Sequence, residues 1–270
     1  MKKIISTIIS SAMVISSLTT LLANATSDEK NNSLSVITKS ISEDLVLADD
    51  ISIPAGSVAL TVSIANNTGF DASTTKLDIG NANVLVDDKG NPIVSKEELL
   101  EDSIVVSAAK DNFVAVSSIL GSDADEDGEM FTIYLSSLPS SVSVWNINDA
   151  AVDLSQGNTR DTVYHIGDVN DNGYIDSVDA SQVSRAVELY SGTVYGWLWV
   201  SIANANLSYY LPYSPYAELG DTNDNDALNY DDTLNIMHFY TWLSVGYTMD
   251  QAIAKAQEDG SNCGQEWSPQ

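Results

Sequence analysis

The C-terminal part of the chain is organised around the stretch DVNDNGYIDSVD at residues 168–179. The same order of residues returns in DTNDNDALNYDD at residues 221–232. Each copy runs directly into a segment with apolar residues at helical spacing. These are Val183, Ala186, Val187 and Tyr190 after the first copy, and Leu234, Met237, Tyr240 and Leu243 after the second. A repeated loop that leads into a helix predicts two helices with a shared core.

The chemistry of both loops indicates calcium. Calcium is a hard cation that takes six to eight oxygen ligands, and an EF-hand loop supplies them from positions 1, 3, 5, 7, 9 and 12. In the first loop these are side chains of Asp168, Asn170, Asn172, Asp176 and Asp179 with the carbonyl of Tyr174. In the second loop they are side chains of Asp221, Asn223, Asn225, Asn229 and Asp232 with the carbonyl of Ala227. We therefore expect two calcium ions.

Two positions set these loops apart from an ordinary EF-hand. Position 12 is Asp in both copies rather than Glu, which favours a loop–helix unit over a helix–loop–helix unit. Position 6 needs a positive φ, which Gly173 supplies in the first loop, whereas Asp226 stands there in the second. We expect the second site to be the weaker one. Because acidic loops repel themselves without a cation, calcium binding should be coupled to folding.

The duplicated loop–helix unit resembles the dockerins, the calcium-dependent plug modules of cellulosome-type assemblies. The resemblance covers residues 164–270 and includes the openings Gly167-Asp168 and Gly220-Asp221. It implies docking onto the cohesin of a scaffold protein and contact between the ends of the module, where Tyr164 and Ile166 would meet Trp267 and Pro269. It also implies partner-reading positions, which here are Ser177, Val178, Ser184, Arg185, Tyr230, Asp231, Met237 and His238.

The partner-reading residues of the two copies differ in size and charge, which predicts a single docking orientation. The segment between the copies, residues 191–219, is longer than in typical dockerins and rich in Tyr and Trp. Three interpretations of it stay open: packing on the module's own core, an enlarged partner surface, or a sugar platform. A third helix is predicted after Thr248, which forms a capping box with Gln251 ahead of residues 252–256.

The first 25 residues have the pattern of a secretory signal peptide. Lys2 and Lys3 precede an apolar run over residues 4–22, and Ala23-Asn24-Ala25 is a small-residue cleavage site. The alternative is an uncleaved N-terminal anchor. We expect a secreted, extracellular protein without membrane insertion, assembled into a cell-surface or released complex. Cleavage removes two lysines and no acid, so the formal charge moves from −27 to −29, which argues against nucleic acid as a partner.

Residues 31–160 predict an all-β sandwich, because short segments rich in Val, Ile, Ser and Thr are separated by Asn-, Asp- and Gly-rich turns. The expected strands are residues 58–64, 83–86, 104–107, 113–118, 130–135 and 142–147. Ser95 and Glu98 form a potential capping box, which predicts a short helical turn over residues 95–102. The predicted fold class is thus multidomain, a β-sandwich followed by a small α-helical module with two EF-hand-like calcium loops.

The opening of the predicted sandwich, IPAGSVALTVSIANNTGF at residues 53–70, resembles a cohesin, the β-sandwich receptor of dockerins. The acidic turn and strand over residues 123–133 are similar to a late segment of cohesins. A carbohydrate-binding sandwich and a plain spacer sandwich share the same pattern and stay open. The acids of this turn are interpreted as a solvated hairpin rather than a third calcium site, because nothing continues the ligand spacing.

Nothing in the sequence indicates catalysis. His165 and His238 both fall in the dockerin-like part, and neither a nucleophile elbow nor a zinc motif is present. The single cysteine, Cys263, excludes an internal disulfide and is interpreted as a tolerated free thiol in a polar tail, with an intermolecular bridge as the alternative. The resemblances imply a non-catalytic adaptor that docks through its dockerin and receives dockerin-bearing enzymes on its sandwich. The alternative is a carbohydrate-binding protein anchored by its dockerin.

Overall fold

The computed structural model describes residues 33–48, 50–67, 70–124, 126–146, 164–170, 173–191, 219–225 and 228–267. The predicted signal peptide and most of the aromatic segment between the loops lie outside these ranges.

A β-sandwich forms the N-terminal part, and its two four-stranded sheets are antiparallel throughout. The first sheet has the order β1-β4-β9-β6, with β1 (Ser33–Ser40), β4 (Val58–Ala65), β9 (Gly128–Leu135) and β6 (Val94–Lys96). The second has the order β10-β5-β8-β7, with β10 (Ser143–Asn146), β5 (Phe70–Asp78), β8 (Phe113–Ala124) and β7 (Ile104–Lys110). A small ribbon joins β2 (Leu45–Val46) to β3 (Ser52–Ile53). The predicted sandwich is therefore confirmed.

The inner faces of the two sheets form the core of the sandwich. In β1 and β4 every second side chain is buried, which is the pattern of a strand with one face on a core and one face towards solvent. Residues from both sheets meet in one cluster, among them Val36, Leu60, Leu77, Val116, Phe131 and Val144.

The described residues of the C-terminal part form three helices and a closing ribbon. The helices are α1 (Ser177–Ser191), α2 (Tyr230–Ser244) and α3 (Met249–Glu258), and the ribbon pairs β11 (Tyr164–His165) with β12 (Glu266–Trp267). Thr248 caps α3 and Gln251 completes the capping box, as predicted. None of the helices in the described ranges is long and apolar enough to span a membrane.

The helices lie on the outer face of the second sheet, where α1 and α2 contact β5, β7 and β8. Val106, Ala108, Ala115 and Ile119 of that sheet belong to the same apolar cluster as the cores of the helices. This cluster is separate from the core between the two sheets, so the second sheet contributes residues to one apolar cluster on each of its faces. We call β10-β5-β8-β7 the covered sheet and β1-β4-β9-β6 the open sheet.

Two local expectations are corrected. Ser95 does not cap a helix, because it lies in β6 and its hydroxyl bonds the Tyr134 hydroxyl at 2.8 Å; only a short 3-10 turn, Glu98–Leu100, follows. The expected strand at residues 83–86 is reduced to two isolated bridges, Val84 with Leu135 and Val86 with Pro92. In both places a tertiary partner, and not the local pattern, decides the backbone.

Candidate calcium loops and docking residues

The first loop is held together by the carboxylate at its position 12. Asp179 is fully buried, and its Oδ1 accepts hydrogen bonds from the backbone N–H of Val169 at 3.0 Å and of Asn170 at 3.3 Å. Its Oδ2 accepts from the N–H of Asp176 at 2.9 Å. The start of the loop and its ninth position are thereby fixed to the first turn of α1.

The position-1 carboxylate closes the turn of the same loop. Asp168 Oδ2 accepts a hydrogen bond from the N–H of Gly173 at 2.9 Å, and Gly173 has a φ of 87°. This conformation is the one that the sequence required of position 6 and that glycine adopts without a steric penalty. The ligand-bearing side chains of Asp168, Asn170 and Asp176 are also buried, so their oxygens point away from bulk solvent.

The second loop repeats this arrangement. Asp232 Oδ1 accepts from the N–H and the hydroxyl of Thr222 at 2.9 and 3.0 Å, and its Oδ2 accepts from the N–H of Asn229 at 2.9 Å. Asp221 Oδ1 accepts from the N–H of Asn225 at 3.1 Å. In both copies the Asp at position 12 therefore binds positions 2 and 9, and the Asp at position 1 binds the middle of the loop. The sequence repeat is also a structural repeat.

Burial perturbs the carboxylates at position 12 of both loops. Burial, and then the charges of Asp176 and Asp168, raise the pKa of Asp179 well above its usual range. Burial raises the pKa of Asp232 to about 6, although hydrogen bonds from Asn229 and Thr222 oppose the shift. Desolvation disfavours a charged carboxylate, and a nearby cation would reverse both shifts.

The donor set fits calcium. The Oδ1 atom of Asn223, at position 3 of the second loop, is buried without a hydrogen-bond partner, and a buried amide oxygen without a partner is costly. Within the described ranges no three His, Cys, Asp or Glu side chains are arranged to hold a metal by themselves. The predicted ligand sets also include amide and carbonyl oxygens. Such mixed oxygen sets are what calcium takes.

Three of the residues discussed for the loops lie outside the described residues: Asn172, Ala227 and Asp226. The described part of the second loop has a positive φ of 55° at Asp224, which is position 4. The expectation of strain at Asp226, and hence of a weaker second site, stays a prediction.

The eight predicted partner-reading residues divide into two groups. Val178, Arg185, Tyr230 and Asp231 are exposed, whereas Ser177, Ser184 and Met237 are buried and His238 is partly buried. Met237 shares the apolar cluster that contains Val106 and Ala115 of the covered sheet. The expected docking surface is therefore only partly accessible in this structure.

The two ends of the C-terminal part close on each other, as predicted. Tyr164 pairs with Trp267 in the β11–β12 ribbon, and their rings meet edge to face with centroids 6.0 Å apart. The N–H of Ile166 donates to the carbonyl of Gln265 at 2.9 Å. Pro269 lies outside the described residues.

Cys263 does not lie in a polar tail, contrary to the sequence interpretation. Its side chain is fully buried in the helical core, and burial raises the pKa of its thiol well above the usual range. A Cβ on Gly167, which has a φ of 101°, would lie 2.6 Å from the Cys263 sulfur. The thiol is thus a packed core group that requires glycine opposite it. Its burial was not predicted because its neighbours in the sequence are polar.

The acidic turn after β8 crosses between the two sheets, because β8 belongs to the covered sheet and β9 to the open sheet. Asp127 Oδ1 accepts a hydrogen bond from the N–H of Asn67 at 2.9 Å, and the Asn67 amide donates to the carbonyl of Glu126 at 3.0 Å. The Asp127 carboxylate and the Glu126 carbonyl thus hold the turn after β4. The two residues are exposed, as the sequence interpretation expected, but the segment is not the hairpin that it predicted.

Comparison with known proteins gives structural similarities only. No protein-family model and no curated protein matches the chain. It is similar to a non-cellulosomal cohesin from the hyperthermophilic archaeon Archaeoglobus fulgidus, with 14% identity and a TM-score of 0.23 over 30% of this chain and 54% of that one. The chain thus spans about half the length of that structure.

Two further similar structures are cohesin modules of scaffoldins. One is the type III cohesin of the cell-surface anchoring scaffoldin ScaE of Ruminococcus flavefaciens, with 14% identity and a TM-score of 0.29 over 46% of this chain and 68% of that one. The other is the second type II cohesin of the adaptor scaffoldin ScaA of Acetivibrio cellulolyticus, with 17% identity and a TM-score of 0.26 over 33% of this chain and 60% of that one.

Proposed function

We propose that this chain is a secreted, non-catalytic adaptor of an extracellular polysaccharide-degrading complex. Its loop–helix pair takes two calcium ions and docks onto the cohesin of a scaffold protein, and its sandwich receives the dockerin of an enzyme. The observation that carries the proposal is the shared hydrogen-bond scheme of the two loops, in which Asp179 and Asp232 occupy equivalent places.

Calcium would supply positive charge and a fixed coordination shell to loops that each carry several carboxylates. The residues that would hold it are those at positions 1, 3, 5, 9 and 12 of each loop, with the carbonyl at position 7. Asp179 and Asp232 stand at the start of α1 and α2, so ordering the loops also sets where the helices begin. Extracellular calcium is abundant enough for sites with dissociation constants of about 10⁻⁴ to 10⁻³ M.

Docking through the helices fits the exposed part of the predicted set. Val178 and Tyr230 are large apolar side chains that stand 45% and 43% exposed at the starts of α1 and α2. The first copy thus exposes an aliphatic and a cationic side chain, Val178 and Arg185, whereas the second copy exposes an aromatic and an acidic one, Tyr230 and Asp231. A partner surface that fits one arrangement does not fit the half-turn rotation, which supports a single docking orientation.

The described part of the sandwich gives less support to the carbohydrate-binding alternative. The large apolar side chains exposed there are aliphatic: Ile37, Val46, Val86 and Leu138. Flat aromatic side chains, which combine an apolar face with a polar tip, are the usual anchors of such contact surfaces.

Calorimetric titration of the full chain with calcium tests the proposal, with two bound ions expected. Asp168→Ala and Asp221→Ala should each remove one ion and abolish capture by an immobilised cohesin. Asp224→Asn is the matched control, because it changes an exposed loop acid that supplies no ligand and tolerates a positive φ. A chain that binds no calcium, or binds insoluble polysaccharide and no cohesin, would contradict the proposal.

A further inference from the structure

The outer face of the covered sheet is unusually apolar for the outside of a sandwich. Along β7 both alternate sets of side chains are apolar, since Val105 and Ala109 face the sandwich core while Val106 and Ala108 face the helices. The neighbouring β8 adds Ala115 and Ile119 to the helix side. The small size of several of these residues lets a helix approach the sheet closely.

The helices meet this face with a specific buried polar contact. The Ser117 hydroxyl of β8 lies 2.7 Å from the Thr241 hydroxyl of α2 and 2.9 Å from the Thr74 hydroxyl of β5. Thr241 donates in turn to the carbonyl of Met237 at 2.6 Å. A buried hydroxyl chain of this kind defines one register of helix on sheet, because any other register would leave hydroxyls without partners.

Polar contacts also join the sheet and the helices at the edge of this apolar contact. The Lys110 ammonium at the end of β7 donates to the carbonyl of Gly246 at 2.7 Å and to the side chain of Gln251 at 3.2 Å. The same ammonium lies 4.8 Å from the centroid of the Tyr247 ring. An apolar centre with a polar rim is the composition of a protein–protein interface.

We propose that this contact is a docking interface closed within one chain, so that a loop–helix pair from another molecule has to displace the chain's own pair. This inference rests on the proposed function, because Met237 and Ser184, two of the helix residues expected to read a partner, are buried in the closed form. The occupant that fits the face is a loop–helix pair like this chain's own, and a second copy of the chain carries one.

Because the sandwich and the helices belong to one chain, the chain's own helix pair competes strongly with the helix pair of a second copy. Seventeen residues, 147–163, connect the last strand of the sandwich to β11. A pair on the same chain competes as an intramolecular partner, so a second copy should occupy the face only in a small fraction of molecules at low protein concentration. Exchange should therefore rise in proportion to protein concentration.

A cysteine trap on full-length chains tests this. One chain carries Ser117→Cys, the other carries Thr241→Cys, and the two are mixed, passed through calcium removal and return, and oxidised mildly. Both chains also carry Cys263→Ala, which removes the native thiol. Neither chain then forms the 117–241 disulfide alone, so a covalent heterodimer records a helix pair on another molecule's sheet. We expect its yield to rise about tenfold between 10 and 100 μM protein. Peptide mass mapping identifies the bond.

The matched control replaces Ser117→Cys by Ser35→Cys on the open sheet, which should give at least tenfold less heterodimer. A chain with both Ser117→Cys and Thr241→Cys, oxidised first, should lose exchange with a single-cysteine chain. The exposed pair Lys110→Cys and Gln251→Cys, joined by a short bis-maleimide, covers the case in which a buried variant does not fold. Absence of heterodimer from both pairs, or equal yield from the Ser35→Cys control, overturns the inference.

Calcium titration of the same chains separates the two proposals. Two bound ions without a heterodimer would defeat the closed interface and leave the adaptor proposal standing. A specific heterodimer without calcium binding would support the closed interface and defeat the calcium-dependent adaptor.

Discussion

The two sheets of the sandwich share one core but differ in what lies on their outer faces. In the open sheet β1 alternates buried and exposed side chains, with Leu34 and Val36 inside and Ser33 and Ser35 outside. The exception is the central strand β9, where Tyr134 on the outer side shares a small apolar cluster with the β2–β3 ribbon. The covered sheet is buried on both faces, because α1 and α2 occupy its outer side. The outer face of the open sheet is thus mainly a surface, whereas the covered sheet is the middle one of three packed layers. The two sheets differ in the residues on their outer faces.

The largest expected effect comes from a charge placed under the helices. Ala115 is fully buried between β8 and the helices, so Ala115→Arg should cost about 3–5 kcal/mol of unfolding free energy or force the helices off the sheet. Ser35→Arg on the open sheet should stay within about 0.5 kcal/mol. Urea denaturation in saturating calcium measures both, and equal losses would show that the two outer faces do not differ.

Calcium removal should uncover the outer face of the covered sheet. We expect chelation to remove the helical circular dichroism and to increase the binding of an apolar dye, because Val106 and Ile119 lose their cover. Each site adds about 2.7 kcal/mol of stability when calcium exceeds the dissociation constant a hundredfold. In calcium, Asp179→Ala should produce about half of the loss of helical circular dichroism and half of the gain in dye binding. Asp224→Asn should produce neither. Unchanged helical dichroism in chelator would argue against this coupling.

A smaller effect is expected from the hydroxyl chain at the helix–sheet contact. Thr241→Val leaves the Ser117 hydroxyl with one partner fewer and should cost about 1 to 2 kcal/mol. The matched change is Thr61→Val, whose hydroxyl bonds Thr132 at 2.7 Å on the outer, half-exposed side of the open sheet. Water replaces that partner, so its loss should stay near 0.5 kcal/mol. Thermal denaturation of the two variants gives the difference, and a larger loss for Thr61→Val would reverse the comparison.

The smallest expected effect is a dependence of folding stability on pH, which comes from His238 in α2. Burial lowers the pKa of His238, whose ring stacks on Trp242 with centroids 5.8 Å apart. The unfolded chain therefore takes up the proton first as pH falls below about 6.5, and stability declines there by at most about 1.4 kcal/mol per pH unit. His238→Gln should flatten this part of the profile. The difference between the variant and the parent chain, measured in saturating calcium, isolates His238 from the loop carboxylates, and identical profiles would exclude the contribution.

Local patterns predicted much of this molecule. The apolar spacing after each loop corresponds to α1 and α2, Thr248 and Gln251 cap α3, and most of the expected strands form. These features depend on residues within one or two turns or along one strand, so the sequence contains the whole of the physical cause. The hydrogen bonds within each loop belong to the same category, because a twelve-residue loop brings its own carboxylates and backbone N–H groups together. The calcium ligand sets stay a prediction.

Features that depend on distant partners were not predictable in this way. Ser95 was expected to cap a helix, but Tyr134 on a neighbouring strand takes its hydroxyl. Cys263 was assigned to a polar tail, but Thr222 accepts a backbone hydrogen bond from Asn262 at 2.6 Å and draws the adjacent thiol into the core. In each case a long-range contact outweighs the local preference.

By itself the sequence determined the two loop–helix units, their oxygen donors and the alternation that builds the sandwich, because these follow from spacing along the chain. Only the tertiary structure decided that the helices lie on the covered sheet and bury Met237. The run IVVSAAK of β7 shows why. A strand that is apolar on both sides indicates that both faces are covered, but no local pattern states which part of the chain covers the second face.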